Sequence, residues 1–362
     1  MLRINIVYQN KNMPADVLPS VEAPDGSYGV TWSRLPQPES DAVVYFNHYT
    51  FNRRLHQQAC PDALKILYMY EPLAIDPMQY TKRVWKQFDG ILTWNTYLTE
   101  ASSAFTFEAG AYYDLPYSSD YGVAPLAGRP DPTAREKALC QICGDKYTLA
   151  AEEIYSERRK VARWFHQNAR TRMDVFGRPP MDVPNYQGEC GDKVAMMARY
   201  RYALCFENTY HPVWTRGYLT EKILDCMACG TVPVYYGCSN IEELVPSDCF
   251  IDYRSFSSLG KLDECLQNMT DEEYLGYAER MQKFVQWYNA PERHSANRLY
   301  ETVAAVCSQP AQRMRDYPED YARLSSFTGK MRLAAMRFLL PHHRFVYPAF
   351  ALVRWAKKRT AK

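Results

Sequence analysis

Apolar positions along this chain gather in short dense runs, and the intervals between them carry either helical periodicity or turn-forming residues. In the first third the runs are Arg3–Tyr8, Ala42–Asn47, Leu64–Met69 and Gly90–Trp94, with helix-like intervals such as Tyr80–Phe88. Runs of this length predict strands, and their alternation with helices predicts a parallel α/β sheet. The segment Pro14–Pro38 is proline-rich and is expected to be irregular. Pro125–Lys137, with three prolines, a glycine and alternating charge, reads as an interdomain linker. The pattern then restarts. Ala138–Cys143 and Met173–Phe176 read as strands. Glu152–Ala169 reads as a helix with Ile154, Val161, Ala162 and Phe165 turned inward and Trp164 as a further candidate. Polar helices are predicted over Asp271–Tyr288 and Ala296–Cys307.

The most informative stretch is Tyr200–Gly237. Ala203–Phe206 is a buried strand by pattern, closed by the polar Glu207 and Asn208. Thr220 is a candidate N-cap, and Ile223, Leu224, Met227 and Ala228 fall on one face of a helix over Glu221–Cys229. Gly230 stops that helix, and Thr231–Tyr236 supplies a second strand. A strand–helix–strand unit binds ligands outside the strand's carboxyl end, at the helix N-terminus. Tyr218, Glu221 and Lys222 crowd that point. The helix dipole and Lys222 favour a phosphate or diphosphate, and a carboxylate beside them suits a ribose diol, which together suggest a nucleotide. A solvated helix start is the plainer explanation of a Glu-Lys pair, and spacing alone leaves both open.

The 362 residues suit two domains. Net charge is +2, yet Tyr321–Lys362 holds ten Lys or Arg and no acid. The remainder therefore carries about −8, which argues against a nucleic-acid-binding body. The eleven cysteines lack a disulfide framework and point to a reducing compartment. Neither Cys140/Cys143 nor Cys226/Cys229 has the partners for a tetrahedral zinc site, so buried free thiols are expected. A strand follows Met1 directly, and no apolar run reaches 18 residues. A cytoplasmic protein is expected.

Several linked blocks resemble the donor-binding signature of the α-1,3-fucosyltransferases. They are Tyr-Arg-Tyr-x-Leu-Cys-Phe-Glu-Asn, Gly-Tyr-Leu-Thr-Glu-Lys-Ile and Gly-Thr-Val-Pro-Val-Tyr-Tyr-Gly, continued by Phe250–Phe256. One departure is Tyr210–Arg216, YHPVWTR, which lengthens the usual connection and is expected to reshape the donor or acceptor pocket. The resemblance implies a GT-B fold, two Rossmann-like α/β domains facing a central cleft, of the bacterial type without a Golgi anchor. Residues 1–130 would bind the acceptor and 138–307 the GDP-sugar, leaving 308–362 as a basic tail.

Within that frame the resemblance makes Glu71, at the end of the strand KILYMYEP, the catalytic base, with Asp76, Asp89 and Asp114 as weaker rivals. It assigns the diphosphate to Arg158, with Arg159 one residue away and open. Lys222 and the helix N-terminus would assist, Tyr218 would pack near the nucleotide, Glu221 would take the ribose hydroxyls and Asn208 would orient the donor. No Asp-x-Asp occurs, which suits a metal-independent site with GDP-fucose as the donor and no further cofactor. The implied reaction is inverting transfer of L-fucose to an N-acetylglucosamine- or glucose-containing glycan, with α-1,3 linkage, in surface polysaccharide or lipopolysaccharide synthesis. The alternatives are another GDP-sugar on the same fold, or a non-catalytic glycan- or nucleotide-binding protein. The acid-free tail, with Trp355 beside Lys357, Lys358 and Arg359, points to peripheral contact with an anionic membrane; a packing helix with a basic face is its rival.

Overall fold

The computed structural model describes residues 1–8, 20–108, 130–148, 150–289, 298–308 and 317–321. Two mostly parallel sheets organise them. The first has the order β2-β3-β1-β4-β5-β6-β7. Its strands are β1 Leu2–Val7, β2 Val21–Glu22, β3 Tyr28–Ser33, β4 Ala42–Phe46, β5 Leu64–Met69, β6 Gly90–Thr93 and β7 Phe105–Phe107. Side chains alternate across it as the pleat requires. Val43, Tyr45, Leu67 and Met69 enter one core, while Ala42, Val44, Phe46, Ile66 and Tyr68 enter the other. Burial on both faces explains why these strands are continuous apolar runs.

The second sheet has the order β10-β9-β8-β11-β12-β13. Its strands are β8 Glu136–Ile142, β9 Met173–Phe176, β10 Tyr186–Gly188, β11 Tyr200–Phe206, β12 Val232–Tyr236 and β13 Ile251–Asp252. Every pairing in it is parallel. The Tyr155–Asn168 and Glu221–Ala228 helices pack on this sheet and share its core.

Four expectations need correction. Strand β3 runs through the stretch expected to be irregular, pairing in parallel with β1 from Leu2↔Tyr28 to Val7↔Ser33. Its partner, rather than its local composition, makes it a strand. The helix expected to close the second domain spans Arg298–Ser308 and packs instead on the first sheet. Val303 is fully buried in that core, and the Trp32 indole N–H donates to the Tyr300 hydroxyl at 3.0 Å. Glu136 and Lys137, expected to lie in the linker, already belong to β8. The Glu221–Ala228 helix is buried around its circumference from Ile223 to Ala228, not on one face. It lies between the sheet and the Asp271–Tyr288 helix, and its inward acid, Asp225, is paired with Lys193. All eleven cysteines are free thiols, seven of them buried.

Candidate active site

Strand β5 ends at Met69, and two residues later Glu71 stands at the carboxyl edge of the first sheet. Its backbone is held on both sides. The Glu71 N–H donates to Asn47 Oδ1 at 2.6 Å, and its carbonyl accepts from Gln79 Nε2 at 2.5 Å and the Tyr80 hydroxyl at 3.0 Å. Gln79 and Tyr80 are fully buried. Asn47 reaches this position directly after β4 with φ 68° and ψ 152°, a strained conformation that lies outside the left-handed helical region and that non-glycine residues rarely adopt. Among the described residues the Glu71 carboxylate takes no hydrogen bond. Burial raises its pKa above the ordinary value; Lys146 and Lys222 oppose that, and Asp76 and Glu221 add to it. Lys146, Lys222 and Glu221 belong to the second domain, so Glu71 meets their charges across the cleft.

At the facing edge β11 runs into Glu207, whose side chain is fully buried. Its carboxylate accepts from the Thr220 N–H at 3.2 Å, the Thr220 hydroxyl at 2.7 Å and Lys222 Nζ at 3.0 Å. Thr220 is the N-cap of the Glu221–Ala228 helix and accepts from the Lys222 N–H. Lys222 Nζ also donates to Thr220 Oγ1 at 2.9 Å and lies 3.6 Å from Glu221 Oε1. Burial alone would lower the pKa of Lys222, but Glu207 and then Glu221 outweigh it and hold the ammonium above its ordinary value. For Glu221, burial works upward and is outweighed by Lys222 and Lys193, so its carboxyl lies below its ordinary value. Gly237 makes room for this arrangement. A Cβ there would lie 2.4 Å from Glu207 Cβ and Cγ.

Arg158 and Arg159 part company. Arg158 is buried, its Cζ 5.1 Å from the Tyr155 ring centroid. Its Nη2 donates to the carbonyls of Phe206 at 2.5 Å and Glu207 at 2.7 Å, and to Asn208 Oδ1 at 3.4 Å. Arg159 turns the other way, to Asp145 Oδ1 at 2.9 Å and the Lys146 carbonyl at 3.0 Å, with its Cζ 4.1 Å from the Tyr147 ring centroid. Arg158 is therefore the one at the carboxyl end of β11. Arg159 braces the loop that presents Lys146. Asn208 Nδ2 reaches the Tyr218 hydroxyl at 3.5 Å, which links Arg158, Asn208 and Tyr218 into one chain of contacts. The Tyr218 ring itself packs on Trp94 of the first domain, centroids 4.9 Å apart, so that face is already occupied.

Among the rivals, Asp76 is buried, accepts from the Tyr49 N–H at 3.3 Å, and is pushed up to about 6 by burial. Asp89 precedes β6 at the opposite end of the sheet, where it binds the Lys65 N–H and ammonium at 2.9 and 3.0 Å. Asp114 lies outside the described residues, as do residues 322–362 of the basic tail. Sequence reasoning missed two groups. Glu207 passed as a polar strand end, because its partners Thr220 and Lys222 lie 13 and 15 residues further along the chain. Lys146 lies just past the first strand of the second domain, the position of a cleft residue in a parallel sheet. The YHPVWTR segment touches both domains, its Tyr210 ring packing on Tyr236 of β12 at a centroid distance of 4.7 Å. Its Trp214 is fully buried in a core of the first domain. A groove of about 530 Å³ beside Leu244, Pro246, Phe284 and Trp287 is lined by none of the site residues.

Two mostly parallel α/β sheets whose carboxyl edges face one charged cleft make the GT-B fold. Among solved structures, an α1,3-fucosyltransferase crystallised with GDP shares this fold at a TM-score of 0.53 and 14% identity, covering 87% of this chain and 92% of that one. Residues 133–326 match the family model for the C-terminal part of glycosyltransferase family 10 (fucosyltransferase). The chain belongs to that family. Human alpha-(1,3)-fucosyltransferase 7 is 32% identical over 160 residues, 43% of this chain and 42% of that protein. Human alpha-(1,3)-fucosyltransferase 4 is 29% identical over 239 residues, 63% of this chain and 41% of that protein. The matched stretch thus spans less than half the length of these relatives.

Proposed function

We propose that the protein transfers L-fucose from GDP-fucose to a hydroxyl of an N-acetylglucosamine- or glucose-containing glycan, with inversion and α-1,3 linkage. The observation that carries this reading is the position of Glu71, fixed by its backbone at one sheet edge and facing Lys146, Lys222 and Glu221 of the other. A carboxyl pKa raised by burial makes the Glu71 carboxylate a stronger base. It takes the acceptor proton as the oxygen attacks the anomeric carbon from the face opposite GDP, as the base of an inverting glycosidase does with water. GDP leaves as a stable anion and needs no proton. Its growing charge is met by Arg158 and Lys222, cations held by fixed partners before the reaction begins, with Lys146 near both of them. Glu221 accepts from the ribose hydroxyls, and Asn208, already bonded to Arg158, orients the donor.

GDP-fucose turnover on a glycan array tests the donor and the acceptor together. Glu71→Gln should lower transfer by about 10²–10⁴-fold while GDP still binds. Retained turnover removes Glu71 from the base role, and a wild-type protein that neither transfers fucose nor hydrolyses GDP-fucose overturns the assignment. The same reading places the enzyme in surface polysaccharide or lipopolysaccharide synthesis, at the inner membrane face through its basic tail. Among the described residues no helix is long and apolar enough to cross a membrane. Binding of the full chain to anionic liposomes, lost on truncation after Tyr321, is the expected result.

A further inference from the structure

The segment Tyr210–Arg216 begins two residues after Asn208 on the donor side, yet its central side chain belongs to the first domain. The segment is closed on itself. His211 Nδ1 accepts from the Val213 and Trp214 N–H groups at 3.1 and 3.2 Å, and the Thr215 hydroxyl donates to the His211 carbonyl at 2.7 Å. Both ends have ties to the second domain, and the Arg216 carbonyl also accepts from the Thr96 N–H of the first at 3.3 Å. The Tyr210 N–H donates to the Glu152 carbonyl, and the Gly217 N–H donates to Asn240 Oδ1 at 2.8 Å. From this rigid base Trp214 crosses over. Its carbonyl accepts from Asn95 Nδ2 at 3.0 Å, and its indole meets Tyr97 and Tyr80 edge-on at centroid distances of 5.5 and 6.0 Å. Tyr80 is the residue whose hydroxyl donates to the Glu71 carbonyl.

We infer that Trp214 is a positioning residue for the base. An unbroken series of packed contacts runs from the donor-side loop through Trp214 and Tyr80 to the backbone of Glu71. The lengthened loop thereby sets Glu71 at a fixed distance from the donor, and acts on the transfer step rather than on donor affinity. Placement of a reacting group to within a fraction of an ångström is worth large factors in rate, so a link of this kind has leverage. This inference rests on Glu71 being the base in the proposed reaction.

The test is a double-mutant cycle on the full chain with Tyr80→Phe and Trp214→Phe, and with Trp214→Ala as the severe case. GDP affinity is measured alongside kcat and the acceptor KM. Tyr80→Phe removes only a hydroxyl and should lower kcat roughly five- to tenfold, the scale of one hydrogen bond, with the Kd for GDP unchanged. Trp214→Ala should lower kcat at least as much, and Trp214→Phe should restore most of it. Tyr80→Phe should have little further effect once Trp214 is Ala, since residues acting through one contact are not additive. Full activity of Tyr80→Phe, or fully multiplicative effects, would overturn the inference. So would a loss confined to GDP affinity. If Trp214→Ala does not fold, the Tyr80→Phe and Trp214→Phe arms decide it alone. Absence of transfer in the wild type is a failure of the proposed reaction. A normal wild type inactivated by Glu71→Gln but indifferent to Tyr80→Phe is a failure of the positioning role alone.

Discussion

Replacing Glu207 by Gln tests whether the donor edge is built around a buried ion pair. The substitution keeps the shape and one acceptor for Thr220 but removes the charge that faces Lys222 Nζ at 3.0 Å. Breaking a buried pair by removing one partner costs about 3–5 kcal/mol. Two features reduce that figure here. The Lys222 side chain keeps 25% of its exposure, and Glu221 remains 3.6 Å away as a second partner. A loss of about 2–3 kcal/mol follows, equivalent to a fall of about 5–10 °C in the Tm of a domain of this size. Thermal and urea unfolding measure it directly. The ammonium freed of Glu207 should attract the diphosphate more strongly, so saturating GDP should raise the Tm of the variant by more than that of the parent. A change below about 0.5 kcal/mol, with equal GDP shifts in both proteins, would refute the reasoning. In solution Lys222 would then not lie against Glu207.

Three further results are expected. The activity of a base is complete above its pKa and falls about tenfold per pH unit below it, so the acid limb of kcat should lie above the ordinary carboxylate range because Glu71 is raised by burial. Lys146→Met removes a cation that favours the Glu71 carboxylate, so this limb should move to higher pH; a shift to lower pH or none, read from the pH–rate profile, contradicts the geometry. Gly217→Ala should destabilise the protein by at least about 2 kcal/mol in urea titration, because Gly217 has a φ of 81° and a Cβ there would lie 2.4 Å from the Trp94 carbonyl oxygen.

Strands buried on both faces were legible because an apolar run needs no partner to be noticed: β5 and β9 have the bounds expected from pattern alone. Strand β3 was not legible, since Tyr28–Ser33 follows a proline-rich stretch and becomes a strand only beside β1. Thr220 was recognisable as a cap because its chemistry is local. Glu207 was not, because its partners lie 13 and 15 residues downstream and meet it only after the strand–helix unit closes. The position of Glu71 after a strand could be read, but the groups holding its backbone come from two other places in the chain, Asn47 after β4 and the adjacent Gln79 and Tyr80 of one short turn of helix. Trp214 shows the same limit most clearly. Nothing in the sequence around Trp214 shows that its side chain is buried in the core of the other domain.

The return of the Arg298–Ser308 helix to the first sheet has a consequence for how the chain is made. Val303 and its neighbours close one face of a sheet whose strands are complete by Phe107. Gly90 of β6 even lacks the side chain that would meet Val306, a Cβ there lying 2.8 Å from its Cγ1. At about 5–20 residues per second, the roughly 170 residues between the first domain and this helix take on the order of 10–30 s to synthesise. During that interval the sheet must wait with an apolar face uncovered while the second domain emerges and folds. A late-made helix thus completes the first-made domain, and a fragment cut after that domain should expose the face and aggregate.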